Sequence, residues 1–236
     1  MKYGICFAGA VAILAFGLIV QTASGGDKQL SGKYLIYAAD KQIQTDAYQV
    51  SPDGVSLDII KSAGSDDVRK IEISTNAKNP LSDYYRESVN GVQKSSAAVE
   101  KDYIWFYEGE AKMGALAIEP DIRFFDPTAF ANFTMLMRKF LADGNTSEAI
   151  SVVVPALQDY CEIELQRHGS DAMTAGEKSF TAAHYRMTLG KREVVNFWVD
   201  GERIIGIHMA SKGVIAVDEA YPNLLKEVKQ AMGKSS

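Results

Sequence analysis

The 236-residue chain reads as a mainly β protein of the α+β class, an antiparallel meander carrying two helices. Three observations predict this. Segments of β-rich composition recur from residue 31 onward, turn dipeptides separate them at near-regular spacing, and only two segments of the mature chain hold helical periodicity. With 47% apolar and 23% charged residues the composition is that of an ordinary globular protein, which excludes disorder, collagen, a coiled coil and a polytopic membrane protein. The 25 Lys and Arg against 30 Asp and Glu leave a net charge of -5, so no cationic excess exists to neutralise phosphates and nucleic acid is excluded as a partner.

The first element is a targeting segment. Lys2 precedes an apolar run from Ile5 to Val20, and the small polar patch Gln21 to Gly26 ends it. This is the layout of a signal peptide, predicted over residues 1–25, with a single domain over 26–236 and a periplasmic or secreted destination. Cys6 lies inside the run and not at its end, which argues against lipid attachment there. Cys161 is then alone, so no internal disulfide forms, and its alternating setting with Ile163 and Leu165 predicts a buried small hydrophobe.

Strands are expected at Ser31 to Ala39, Ile43 to Val50, and, after the Ser51-Pro52-Asp53-Gly54 turn, at Val55 to Lys61 with Val55, Leu57 and Ile59 on the apolar face. Arg69 to Thr75 alternates through Ile71 and Ile73. Asn90-Gly91 joins Tyr84–Val89 to Val92–Val99 as a hairpin, and Tyr103 to Tyr107 and Met113 to Ile118 follow. Asp126-Pro127 supplies an N-cap and a first-turn proline for a helix near 127–142, whose apolar side carries Phe130, Phe133, Met137, Phe140 and Leu141 before Gly144 stops it. Strands at Ile150–Leu157, Tyr160–His168, Lys178–Leu189, Glu193–Asp200, Arg203–Ala210 and Val214–Val217 come next, with Asn76 to Ser82 and Ser170 to Gly176 as loops. A last helix near 222–232 presents Leu224, Leu225, Val228 and Met232.

Catalytic signatures are missing. The sequence holds no Gly-x-Ser-x-Gly, no phosphate loop, no Gly-x-Gly-x-x-Gly, no His-Glu-x-x-His and no Cys-x-x-Cys, so an enzyme is not expected, and neither a metal nor a cofactor is. His168, His184 and His208 fall on or at the end of strands. His184 and His208, with Glu162 or Glu164, are a conceivable metal or acid–base cluster, while scattered histidines are the simpler reading.

The order of parts carries a resemblance: an export signal, a long meander, an apolar helix introduced by Phe124-Phe125-Asp126-Pro127, more strands, then Asn196-Phe197-Trp198-Val199-Asp200-Gly201 followed by Arg203-Ile204-Ile205-Gly206-Ile207. In this the chain resembles uncharacterised bacterial periplasmic families that share a lipoprotein-carrier-like half barrel, though it lacks an amphipathic helix ahead of the first strand. The resemblance implies a strongly curved antiparallel sheet or half barrel packed on two helices, with an apolar concave surface. On that basis the expected function is binding of a lipid or other apolar or amphipathic ligand, with Trp105, Tyr107, Phe130, Phe133, Met137, Phe197 and Trp198 lining the site. The competing expectation is an envelope assembly or protein-interaction module, with an envelope protein as partner, that uses exposed strand edges and no small-molecule ligand.

Overall fold

The computed structural model describes residues 29–75, 83–119, 123–190 and 193–234. The expected signal peptide and the Asn76 to Ser82 loop lie outside the described residues. Fourteen strands form one antiparallel sheet: β1 (Leu30–Ala38), β2 (Lys41–Val50), β3 (Val55–Ser62), β4 (Val68–Ser74), β5 (Tyr84–Val89), β6 (Val92–Glu100), β7 (Tyr103–Glu108), β8 (Ala111–Ala117), β9 (Ser147–Val154), β10 (Asp159–Ala175), β11 (Lys178–Leu189), β12 (Glu193–Asp200), β13 (Arg203–Met209) and β14 (Val214–Asp218). Helix α1 spans Phe130–Ala142 and α2 spans Leu224–Lys234. Neither is long and apolar enough to cross a membrane.

Neighbours in sequence are neighbours in the sheet, except that β1 pairs with β14, so the order runs β8 to β1 and then β14 to β9. Each turn has its own chemistry. Asn90 and Gly91 both take positive φ at the β5–β6 turn, as a two-residue hairpin requires. Gly54, at φ +86, lies so close to the Thr75 carbonyl that a Cβ would sit 2.1 Å from it, so no other residue fits that turn.

Three buried clusters hold the layers together. Helix α1 and the inward residues of β1, β2 and β9 to β14 share one, with Phe130, Phe133, Met137 and Phe140 against Tyr34, Tyr185 and Phe197. Inward residues of β3 to β7 gather Phe124, Ala129 and Val153 into a second. On the other face, Leu224, Val228 and Ala231 of α2 meet Met173, Trp198, Ile205, Ile215 and Val217 in a third. Strands β12 to β14 are thus covered on both sides, which is why they read as near-continuous apolar runs. Gly206 of β13 makes the close approach of α2 possible, since a Cβ there would stand 2.8 Å from Val228.

Several expectations are corrected. The half barrel is not found: the sheet is open, beginning at β8 and ending at β9, and these two strands do not pair. The reason is local. The outer edge of β9 meets Arg123–Phe125, which bridges to it in parallel at Phe124 and Val153, so a connecting segment stands where a closing strand would be. Residues 170–175 are strand and not loop, because β10 continues in register with β11 past a bulge near Gly169. The buried face of β3 is Ser56, Asp58 and Ile60, while Ile59 is 38% exposed, the reverse of the expected face.

Candidate functional site

Of the seven residues expected to line an apolar surface, five are closed core. Phe130, Phe133, Met137 and Phe197 pack in the α1 cluster, with Phe133 and Phe197 rings 5.4 Å apart. Trp198 follows Phe197 directly, so strand alternation sends it to the opposite face beneath α2, where its indole N–H reaches Asp171 at 2.8 Å. Trp105 and Tyr107 lie on the face of β7 opposite the buried Ile104 and Phe106. None of the seven lines the cleft of about 660 Å³ beside α1. The reading of an apolar ligand on a concave sheet is therefore overturned: the open sheet offers no such surface, and the rings assigned to it are spent on three separate packings.

The start of α1 holds chemistry that the sequence reading missed. The helix begins at Phe130, three residues later than Pro127, and its cap residue Ala129 has no side chain to offer. Asp126 does not cap it. Asp126 accepts from the Thr128 amide at 2.8 Å, from Tyr85 at 3.0 Å and from Arg69 at 3.3 Å. The orphan amides are met from the sheet instead: Phe130 N–H donates to Asp46 at 2.9 Å and Ala131 N–H to Asp58 at 2.6 Å. Asn132 joins by donating to Ser56 at 3.1 Å and accepting from the Asp126 amide at 2.8 Å.

Asp46 and Asp58 are both fully buried, and no donor among the described residues reaches Asp46 Oδ1 or Asp58 Oδ2. Burial pushes the Asp46 carboxyl up to about 6, and burial together with the neighbouring Asp46 charge holds Asp58 well above the usual carboxylate range. Two carboxyls in this setting share a proton. A usable signal was present in the sequence, since Asp46 stands in phase with the buried Tyr48 and Val50, and a carboxylate at an inward position of a strand needs a partner.

The cleft, about 660 Å³, runs along α1 from Asn132 to Ala142. The Ser51–Gly54 turn, Thr75, Phe124 and Phe125, Val152 of β9, the Gly201-Glu202 turn and the later part of α1 bound it. Its lining mixes Phe125, Met135, Leu136 and Leu141 with Arg123, Arg138 and Lys139 and with the acids Asp83 and Glu202. Arg123 Nη1 is buried and has no acceptor among the described residues.

A third feature is the open end of the sheet. Tyr103, Trp105 and Tyr107 alternate along the outer face of β7, and Lys112 of β8 lies 4.0 Å from the Trp105 ring centroid. Tyr103 is 49% exposed and Met113 of β8 is 52% exposed. At the far end of β8, Tyr160 donates its hydroxyl to the Ala117 carbonyl at 2.7 Å, so that carbonyl points away from β7. Leu157, 65% exposed, adjoins Gln158, whose amide oxygen is within 3.1 Å of the place a Cβ on Gly114 would take.

The histidines do not form the conceived cluster. His184 stacks on Trp198 with centroids 4.9 Å apart and places Nδ1 3.3 Å from Asp171 and Nε2 3.3 Å from Asn196, so it bolts β10, β11 and β12 together. His168 meets it edge to face at 5.3 Å, and His208 Nδ1 is buried with no hydrogen-bond partner among the described residues. Among the described residues no group of three His, Cys, Asp or Glu is arranged to hold a metal. Burial raises the Cys161 thiol, which keeps it protonated.

These parts define a mainly β protein of fourteen antiparallel strands and two helices, with an exposed aromatic face at one edge and a mixed-charge cleft beside α1. No family model and no curated protein matches the chain. A solved structure described as a β-barrel-like protein of domain of unknown function DUF1849 from Brucella abortus is similar over 80% of this chain and 93% of that one, at 9% identity and a TM-score of 0.48. The likeness is weak and partial, and no statement about function rests on it.

Proposed function

We propose that this protein is exported to the bacterial envelope, among its uncharacterised periplasmic families, and acts there as a protein-interaction module without catalysis of its own. The observation that supports this is the outer face of β7 and β8, where Tyr103 and Met113 are exposed and Trp105 is half-buried, beside a strand whose outer edge pairs with no other strand among the described residues. Natural edges are usually guarded by charge, proline or a covering element. Of seven residues in β8, Lys112 alone is charged, and its ammonium is drawn over Trp105 instead of standing off the edge. Aromatic residues with Met are what protein interfaces enrich, because they supply large contact area at small entropic cost.

The test places a photo-crosslinking residue at Met113 in the native host, with Glu177 at the β10–β11 turn as control. A discrete protein adduct from position 113, missing from 177 and lost when Trp105→Ala is added, is the expected outcome. No adduct, or the same adducts from both positions, refutes the reading.

A further inference from the structure

The geometry points to a second recognition site, in the cleft beside the C-terminal half of α1, that takes a carboxylate of a partner polypeptide flanked by apolar side chains. The inference rests on the interaction reading and extends it to a different surface.

Arg123 carries the argument. Its backbone is held on both sides by β9, with the Val153 amide donating to the Arg123 carbonyl at 2.8 Å and the Phe125 amide to the Val153 carbonyl at 2.9 Å. The side chain is thereby set into the lining of the cleft, where Nη1 is shielded from solvent without an acceptor among the described residues. A guanidinium cannot escape that situation by losing its proton, so Arg123, half-buried in the cleft wall, keeps its full charge there for an anion to meet. The planar fork suits an oxyanion approached through two parallel N–H bonds.

The rest of the lining narrows the chemistry. Arg123, Arg138 and Lys139 against Asp83 and Glu202 leave one net positive charge, which matches a singly charged carboxylate better than a phosphate dianion. Phe125, Met135, Leu136 and Leu141 supply apolar wall around it. A volume of about 660 Å³ admits a short peptide segment and no folded element. Glu flanked by Leu or Phe is the kind of sequence such a site selects.

The experiment equilibrates immobilised full-length protein with a synthetic pool of heptapeptides randomised over Leu, Phe, Ala, Ser, Glu and Gln. The retained peptides should be enriched in Glu beside Leu or Phe, and replacing that Glu by Gln in the best peptide should weaken binding by about tenfold or more. Arg123→Met should abolish the preference for Glu over Gln, with Arg123→Lys intermediate. Should Arg123→Met fail to fold, Lys139→Glu on the exposed rim gives the same test by reversing the net charge. No enrichment, equal retention of Glu and Gln, or an unchanged preference in both variants overturns the inference, as does 3-phenylpropionate competing as well as the best peptide. The Met113 adduct is read separately, so failure of the cleft and failure of the interaction reading are told apart.

Discussion

Replacing Asp58 by Asn should make the protein more stable at neutral pH and leave it little changed in acid. In the wild type Asp46 and Asp58 are buried together at the start of α1, and each accepts one helix amide. Two effects compete. The positive end of the helix favours ionised carboxylates by roughly 0.3 to 2 kcal/mol. Burial opposes ionisation, and for Asp46 it outweighs the hydrogen bonds from Asp58 and the Phe130 amide and lifts the group from 3.8 to about 6, a net effect of about 3 kcal/mol. Both groups therefore titrate above their unfolded values. Their stabilising contribution is complete below about pH 3.8 and declines as pH rises through the folded values, by roughly 1.4 kcal/mol per unit and per group, since the unfolded chain has already released its protons. The decline for Asp46 falls between pH 3.8 and about 6, and that for Asp58 begins at the same point. An Asn at position 58 keeps an oxygen for the Ala131 amide and offers Asp46 a permanent N–H in place of the shared proton. Urea unfolding of both proteins from pH 4 to pH 8 measures the difference, which should grow steadily in the variant's favour as pH rises above about 4. A variant less stable by the same amount at every pH would show that Ala131 needs a charged acceptor and that no proton is shared.

Other consequences of the packing are open to the same unfolding assay. Gly206→Ala should cost about 1 to 3 kcal/mol, because the new methyl meets Val228 at 2.8 Å and displaces α2; an unchanged midpoint would mean that α2 is loosely held. Asp218→Ala should cost about 3 kcal/mol by leaving Arg203, which Asp218 binds through both oxygens, without its buried partner, whereas the expected loss is far smaller for Lys33→Ala, whose Glu219 partner is exposed. Met137→Trp should destabilise by at least about 1 to 3 kcal/mol, since Met137 is 1% exposed within a closed core; a neutral outcome would reveal unfilled space beside α1.

Strand alternation and turn dipeptides carry most of the fold. Val55, Tyr84, Val92, Tyr103, Lys178, Glu193, Arg203 and Val214 each open a strand where the residues predict one, because a half-buried strand must alternate and a hairpin must turn on residues that tolerate positive φ. The tail helix is likewise local in origin, with Leu224 and Val228 spaced for one face. The candidate sites were less legible. Alternation puts Phe197 and Trp198 on opposite faces, but nothing in a one-dimensional pattern says that α1 covers one face and α2 the other. Asp46 and Asp58 carry no local mark of burial, since a charged residue on a strand is ordinarily a surface residue, and Arg123 lies in a connecting segment whose contact with β9 has no local signal.

Local chemistry alone thus determined most of the element list, though not the extension of β10 through residues 170–175 or the start of α1 at Phe130. Only the tertiary structure decided what closes what. The sheet stays open because Arg123–Phe125 occupies the edge of β9, a pairing across about thirty residues that no local periodicity encodes. The face of β3 that turns inward is the one carrying Ser56 and Asp58, because the amides at the start of α1, more than seventy residues away in sequence, supply the donors that make burial of a carboxyl tolerable. Periodicity reports that one face is buried, while the partners that give a polar face its reason to be buried come from elsewhere in the chain.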